Sequence, residues 1–448
     1  MSALAGIAKR MLFFFPFTLP LWFGRIAWTF PQSAMWEFAL LLVYLYVSPQ
    51  LLDLIGGRAP GAGSDTSIRS GETAACTWTI RLLFLKMLAA KVILLQTVHH
   101  FNIPPADALL LAVIAGQATG SFGIFVAHEM LHGRSRFDRF CAELLMVTVS
   151  YPHFCIEHIH GHHRNVSTRL DPATARWHES VYAFIPRSVF GGVAGAWRYE
   201  TTRLARRGLG WLNIRNRMLR YTFWIGLFYA LVFAIYGTLG VAVMLVQSLV
   251  AIFTLETINY VQHYGLQRRE LAPGVFEPIG PQHSWNTEFL FSNRYWLNLG
   301  RHSDHHFAAE RKFAFLRMHA DEPELPAGLV TMHCVALIPP LWFKVMDPRV
   351  RAWRARYLDE APTAHSDTHA LSFAASSDDH RARKTEEAPQ GWLSLLLLGS
   401  AIVLLIVIAT MWGRPWDIGF LVFFSVLAIA LRNLAAGRDA GGDTISTP

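Results

Sequence analysis

The feature that most constrains this chain is a series of apolar stretches, each near the length needed to cross a bilayer. They run over about 12–30, 35–55, 78–98, 105–127, 221–238 and 240–262. Inside hydrocarbon every backbone N–H and C=O has to be paired within the protein, so spans of about 20 residues are helical. The chain therefore reads as an all-α integral membrane protein with a six-helix transmembrane core. Only 16% of its 448 residues are charged, against about 25% in a soluble domain. The connections alternate in character. Those near 31–34, 99–104 and 236–240 are short and lack Lys and Arg, whereas 56–77, 128–220 and 263–330 are long and carry the arginines. By the positive-inside rule the long ones face the cytoplasm.

The same rule accounts for the net charge of +8, so no nucleic-acid partner is expected. Seven arginines fall between Arg198 and Arg220. They read as orientation charge on a cytoplasmic helix, with a dock for an acidic electron carrier as the alternative. The apolar stretch 326–346 is broken by Pro339 and Pro340 and reads as a re-entrant or interfacial piece. Residues 358–391 have almost no large apolar groups and form a linker. Two further apolar runs, 392–412 and 416–432, flank a G-R-P-W turn and suggest an extra C-terminal transmembrane hairpin, followed by a tail, 433–448. The expected division is thus a core over 1–357, the linker, the hairpin and the tail.

Nine histidines gather in four clusters at or near the ends of apolar runs: His128 and His132; His158, His162 and His163; His263; and His302, His305 and His306. All four clusters fall on the cytoplasmic side of the expected topology. Neutral imidazole is a common ligand for redox-active iron, and this many at ligand spacing suits two metal ions. In H-E-M-L-H, His128 and His132 are four apart and share a helical face. H-E-x-x-H is also the zinc-protease signature, but that site needs one further ligand and seven more clustered histidines follow here. In E-H-I-H-G-H-H, His158 and His162 share a face, His163 reaches toward a second metal, and His160 points elsewhere. Glu256 lies seven residues before His263 on the same helical face. It is the first candidate for a carboxylate that orients a ligand imidazole, with Glu129, Glu157 and Asp304 as others. The four cysteines, Cys76, Cys141, Cys155 and Cys334, make no C-x-x-C pair. The chain thus carries no rubredoxin or ferredoxin centre of its own, and electrons come from another protein.

These motifs resemble those of the membrane alkane 1-monooxygenases, within the integral-membrane desaturase and hydroxylase group. The matching stretches are H-E-M-L-H-G, E-H-I-H-G-H-H, L-E-T-I-N-Y-V-Q-H-Y-G-L and L-x-x-R-H-S-D-H-H, together with D-P-A at Asp171, H-S-W-N from His283 and I-P-P-L-W-F-K-V-M-D-P from Ile338. The resemblance runs from about residue 10 to residue 357. It implies a non-haem di-iron site ligated by His128, His132, His158, His162, His163, His263, His302, His305 and His306. It also implies terminal hydroxylation of alkanes with O2 and electrons from a rubredoxin recharged by an NADH-dependent reductase, in the bacterial cytoplasmic membrane. Three departures stand out. Gln262 occupies a position that is commonly Glu in alkane hydroxylases and neutral in xylene- and cymene-type methyl hydroxylases; F-A-A-E-R-K follows the fourth cluster; and the C-terminal hairpin lies outside the pattern. An aryl-methyl hydroxylase and a fatty-acyl desaturase are the alternatives within this chemistry. A metal or haem transporter is the rival from another class, disfavoured because the histidines gather on one face.

Overall fold

The computed structural model describes residues 70–319 and 322–359, together with Gln50, Asp53, Gly57 and Arg58. The expected span 12–30, nearly all of 35–55 and of the linker, the 392–432 hairpin and the tail lie outside the described residues. Within them the chain's regular structure is helical, apart from one short antiparallel pairing of β1 (Glu270–Ala272) with β2 (Val275–Phe276) and two isolated bridges, Arg58–Phe289 and Asn286–Glu324.

Two helices among the described residues are long and apolar enough to cross a membrane: α2 (Pro105–His132) and α6 (Arg217–His263). The second counts for two expected spans. Gly237 leaves helical geometry at φ 66°, and the chain doubles back there, since Gly240 packs against Tyr236 and Val232. The expected span 78–98 lies within α1 (Ser70–His100). Its charges find partners on neighbouring helices: Arg81 pairs with Asp138 at 2.7 Å, and Lys91 donates to Gln247 at 2.9 Å.

Close packing of α2 on α6 rests on two small residues. A methyl group on Gly116 would come within 2.6 Å of the Val250 Cβ, and one on Gly120 within 2.6 Å of the Thr254 Cβ. This is the small-xxx-small spacing by which helices in lipid approach backbone to backbone. Thr254 seals the contact by donating to Gln117 Oε1 at 2.8 Å. The consequence is positional, because α2 ends at His132 and the return leg of α6 ends at His263.

Between these helices lie α3 (Arg136–Val147), a helical segment α4 over 154–165, and α5 (Val181–Ala205). After them come α7 (Leu290–Tyr295), α8 (His302–Phe307), α9 (Leu329–Ala336) and α10 (Pro339–Arg354). The stretch 326–346 is therefore not one broken segment but two helices. Pro339 and Pro340 sit in the first turn of α10, where a missing N–H costs nothing. Trp342, Met346, Val350 and Trp353 form the buried stripe of α10, and α9 packs against α6. Asn216 caps α6, and Glu200 of α5 braces it by pairing with Arg203 at 2.7 Å and Arg217 at 2.8 Å. Two of the seven arginines of that stretch thus hold the fold together.

Candidate metal centre

All nine clustered histidines converge. His128, His132, His158, His163 and His305 form one set, and His162, His263, His302 and His306 a second, with one ring nitrogen from each member lying within 4.8 Å of the others in its set. In the first set the Nε2 atoms of His132 and His158 are 3.1 Å apart, those of His158 and His163 3.0 Å, and those of His163 and His305 3.2 Å. In the second, His302 Nε2 lies 3.1 Å from His263 Nε2 and 3.0 Å from His306 Nε2. With metal–nitrogen bonds of about 2.1 Å, two imidazoles at a right angle around one ion stand about 3.0 Å apart. Hydrogen bonding alone does not account for such clusters, because a neutral ring carries one proton for several facing nitrogens. Both sets fit a transition-metal ion.

Local geometry explains how each ring arrives. His128 and His132 close the last turn of α2 on one face, as their spacing predicts. The second cluster departs from expectation. Residues His158–His162 form a π-helical turn, and in that wider turn residue i+5 returns over residue i. His158 and His163 therefore share the first set, while His162 joins the second. His158 and His162 do share a face, their rings stacked with centres 5.3 Å apart, but they fall in different sets. At Gly161 in this turn a Cβ would meet the Glu157 carboxylate, which would have to move aside. His160 stacks on Tyr199 with ring centres 4.1 Å apart and stands outside both sets.

The residues around His263 fix the end of α6. Gly265 takes φ 70°, which lets the chain leave the helix at once. Tyr264 donates to Asp347 Oδ1 at 2.6 Å, and Tyr260 to the Glu179 carbonyl at 2.7 Å. Gln262 donates to the Leu299 carbonyl at 2.9 Å. A carboxylate in that place would have no proton to give. The fourth cluster is held by Asn286 of H-S-W-N, whose Oδ1 accepts from the Ser303 N–H at 2.9 Å and whose Nδ2 donates to Ser303 Oγ at 2.5 Å. Leu297 and Asn298 turn the chain into α8 through left-handed conformations, φ 51° and 58°. Such backbone persists only where packing over-determines it.

The carboxylates behave differently from the sequence expectation. Glu256 accepts from Tyr151 at 2.8 Å and from Asn259 at 3.4 Å, while His263 is met by the His283 backbone, so no bond joins Glu256 to His263. Asp304 binds Arg311, the His319 ring at 2.9 Å and the Arg317 N–H at 2.8 Å. Glu129 stands 3.7 Å from Lys312 and accepts from the Phe313 N–H at 3.4 Å. Asp304 and Glu129 thus clamp the F-A-A-E-R-K segment over the helices and bond none of the nine clustered imidazoles. A helical residue next to a ligand projects about 100° away from it, which is why adjacency misled. Glu157 packs on Gly161 and lines a cavity of about 10 Å³ shared with Glu256, His153 and His162.

The carboxylate that does meet a clustered histidine is Asp171, 2.9 Å from His162 Nδ1 and fully buried. It also accepts from Thr174 Oγ1 at 2.6 Å and from the Ala173 N–H at 3.0 Å. Its signal in the sequence was the D-P-A turn, with Thr174 three residues on. Burial works against a charged His162, but the charge and hydrogen bond of Asp171, backed by Glu157 and Glu256, leave its pKa above the usual value. Burial, aided by neighbouring imidazoles, holds His158, His163, His302, His305 and His306 well below the usual range. They are neutral at pH 7, the form that binds metal.

The family model for fatty acid desaturases matches residues 105–336. Alkane 1-monooxygenase 2 of Pseudomonas aeruginosa is 36% identical over 324 residues, 71% of this chain and 85% of its own length. Alkane 1-monooxygenase 2 of Alcanivorax borkumensis is 40% identical over 248 residues, 55% of this chain and 65% of its own. The hydroxylase component of a Pseudomonas putida xylene/toluene monooxygenase is 30% identical over 250 residues, 56% of this chain and 65% of its own. Similarity of this extent, spanning every histidine of both sets, means that the chain belongs to the alkane 1-monooxygenase family within the fatty acid desaturase group and is a membrane monooxygenase.

Proposed function

We propose that the chain hydroxylates the terminal methyl group of alkanes at two non-haem irons (alkane + O2 + 2 e− + 2 H+ to 1-alkanol + H2O). The observation that carries this reading is the convergence of nine imidazole nitrogen donors into two sets. His128, His132, His158, His163 and His305 would hold one iron, and His162, His263, His302 and His306 the other. Bound there, the irons supply O2 reduction and C–H oxidation, chemistry that no amino-acid side chain offers.

The protein's part is to hold and shield. Asp171 keeps the His162 proton on Nδ1, leaving Nε2 free to face inward. Phe154 stacks on His158 with ring centres 4.6 Å apart, and Phe125, Met130 and Leu131 are buried beside the histidines of α2. These groups exclude water from the centre. Electrons would come singly from a rubredoxin recharged by an NADH-dependent reductase, because the four cysteines are scattered and three of them buried. The site would face the cytoplasm from the inner membrane, with the Arg-rich connections on the same side. The catalytic unit would be residues 1–357, the extra hairpin standing outside it.

Aryl-methyl hydroxylation is the second reading, favoured by the xylene/toluene relative. The test is 18O2 labelling in cells co-expressing a rubredoxin and its reductase, fed octane, dodecane, toluene and p-cymene. Labelled 1-alkanols are expected. Labelled benzylic alcohols alone would move the assignment to the second reading, and unlabelled alkenes would refute hydroxylation.

A further inference from the structure

The loop between α5 and α6 combines two kinds of exposed side chain. Trp211, Leu212 and Ile214 are 53%, 69% and 82% exposed. Around them stand Arg198, Arg206, Arg207, Arg215 and Arg220, all exposed, while Arg203 and Arg217 are engaged by Glu200. The loop is built, not loose. Gly208 takes φ 68°, the Leu209 N–H returns to the Leu204 carbonyl at 3.0 Å, and Asn216 Nδ2 donates to the Trp211 carbonyl at 2.8 Å.

Its height relative to the bilayer follows from α6. The chain reverses at Gly237, and a hydrocarbon core takes about 20 helical residues. Counting back from the reversal puts the inner hydrocarbon boundary near Arg217. Phe223, Trp224, Leu227, Leu231, Phe233 and Ile235 are exposed on the leg between, as lipid-facing side chains should be. The loop therefore lies at headgroup level.

We propose that this loop is a binding site for anionic phospholipid, its guanidinium groups taking the phosphates while Trp211, Leu212 and Ile214 enter the interfacial layer. Two observations favour lipid over an acidic soluble protein. The apolar tips sit among the arginines, where an intermittent soluble partner would leave them in water. The loop also stands level with the phosphates of the inner leaflet. The site is separate from the histidine sets and does not depend on which substrate they oxidise.

Native mass spectrometry of the full-length protein, delipidated and titrated with phosphatidylglycerol or phosphatidylcholine, tests the site. The wild type is expected to bind phosphatidylglycerol at least about a hundredfold more tightly, with a preference that shrinks as salt rises. Each juxtamembrane arginine contributes about a fivefold factor. Arg206→Gln/Arg207→Gln/Arg215→Gln should therefore cut that preference by about a hundredfold, whereas the Lys triple variant should keep most of it. Leu212→Ser/Ile214→Ser should weaken both lipids and leave the preference intact. All these side chains are exposed, and matching thermal midpoints in phosphatidylcholine nanodiscs would confirm that the variants fold. Equal binding of the two lipids by the wild type would overturn the proposal. So would a Gln triple variant that keeps the preference but no longer binds a reduced rubredoxin, which would assign the loop to the electron carrier.

Discussion

Replacing Asp171 by Asn tests the metal centre at a point where geometry gives a sharp expectation. The carboxylate accepts from His162 Nδ1 and Thr174 Oγ1 on one oxygen and from the Ala173 N–H on the other. An amide has only one accepting oxygen. If that oxygen stays with Ala173, the new NH2 faces His162 and forces the imidazole proton onto Nε2, which removes one of four donors from the second set. If the amide flips, it sets NH2 against the Ala173 N–H, and a buried clash of donors costs about 1–3 kcal/mol. Loss of a group that orients a ligand imidazole typically weakens metal binding 10–100-fold, about 1.4–2.7 kcal/mol. Iron content after a graded chelator challenge, with Mössbauer spectra to count the sites, should show the second iron released first. Thr174→Val is the control: it removes a hydrogen bond to Asp171 but leaves His162 its acceptor, so it should lower stability and spare the iron. Two irons held by Asp171→Asn with wild-type affinity would refute the assignment of His162 and of the carboxylate behind it.

Two further outcomes follow from the packing. Glu200 is buried, which alone would raise its pKa, but hydrogen bonds from Arg203 and Arg217 bring it from 4.5 to about 2. Such a shift corresponds to about 2–3 kcal/mol, present in full above pH 4.5 and lost as pH falls toward 2. Thermal melts of Glu200→Gln should then show a deficit of that order at pH 7 that narrows in acid; a constant deficit at every pH would dismiss the brace. Gly120→Ala places a methyl 2.6 Å from the Thr254 Cβ and 2.8 Å from the Ala251 carbonyl, so α2 and α6 must separate. The cost should be about 1–3 kcal/mol, whereas Gly226→Ala, with nothing within 4 Å, should leave the melting temperature unchanged or higher.

Much of this was legible in the sequence, for reasons that also mark where reading had to stop. Hydropathy located 105–127 and the two legs around Gly237 in the two described helices long and apolar enough to cross a bilayer, while 78–98 is borne out as helix only. The nine histidines were legible because their residue type and clustering are rare at the ends of apolar runs. How they divide was not, because residues His158–His162 form a π turn and period arguments assume an α-helix. Asp171 was hidden for another reason. It lies nine residues from His162 in a turn, and only tertiary folding brings the two together. Asn286 was quoted as part of a motif without a task, and its partner Ser303 is 17 residues away.

The family motifs therefore record two different demands. On the proposed reading the histidines answer to the metal, while the residues between them answer to the need to hold four separate chain segments in one geometry. Tyr264 shows the second demand plainly. Its hydroxyl meets Asp347 of M-D-P, which also hydrogen-bonds the exposed His178 ring at 2.7 Å, so the end of α6, the loop after α4 and α10 share one junction. Trp353 adds a bond from its indole N–H to the Gln282 carbonyl at 2.9 Å, one residue from the H-S-W-N stretch that holds α8. Helix α10 lies far from the histidines in sequence but is part of their support. Rings that must keep their nitrogens about 3 Å apart without their ion need a rigid frame, since each lone pair repels its neighbours. That requirement, rather than direct contact with metal, is a sufficient physical reason for the motif to extend from Tyr260 to Asp347 and beyond.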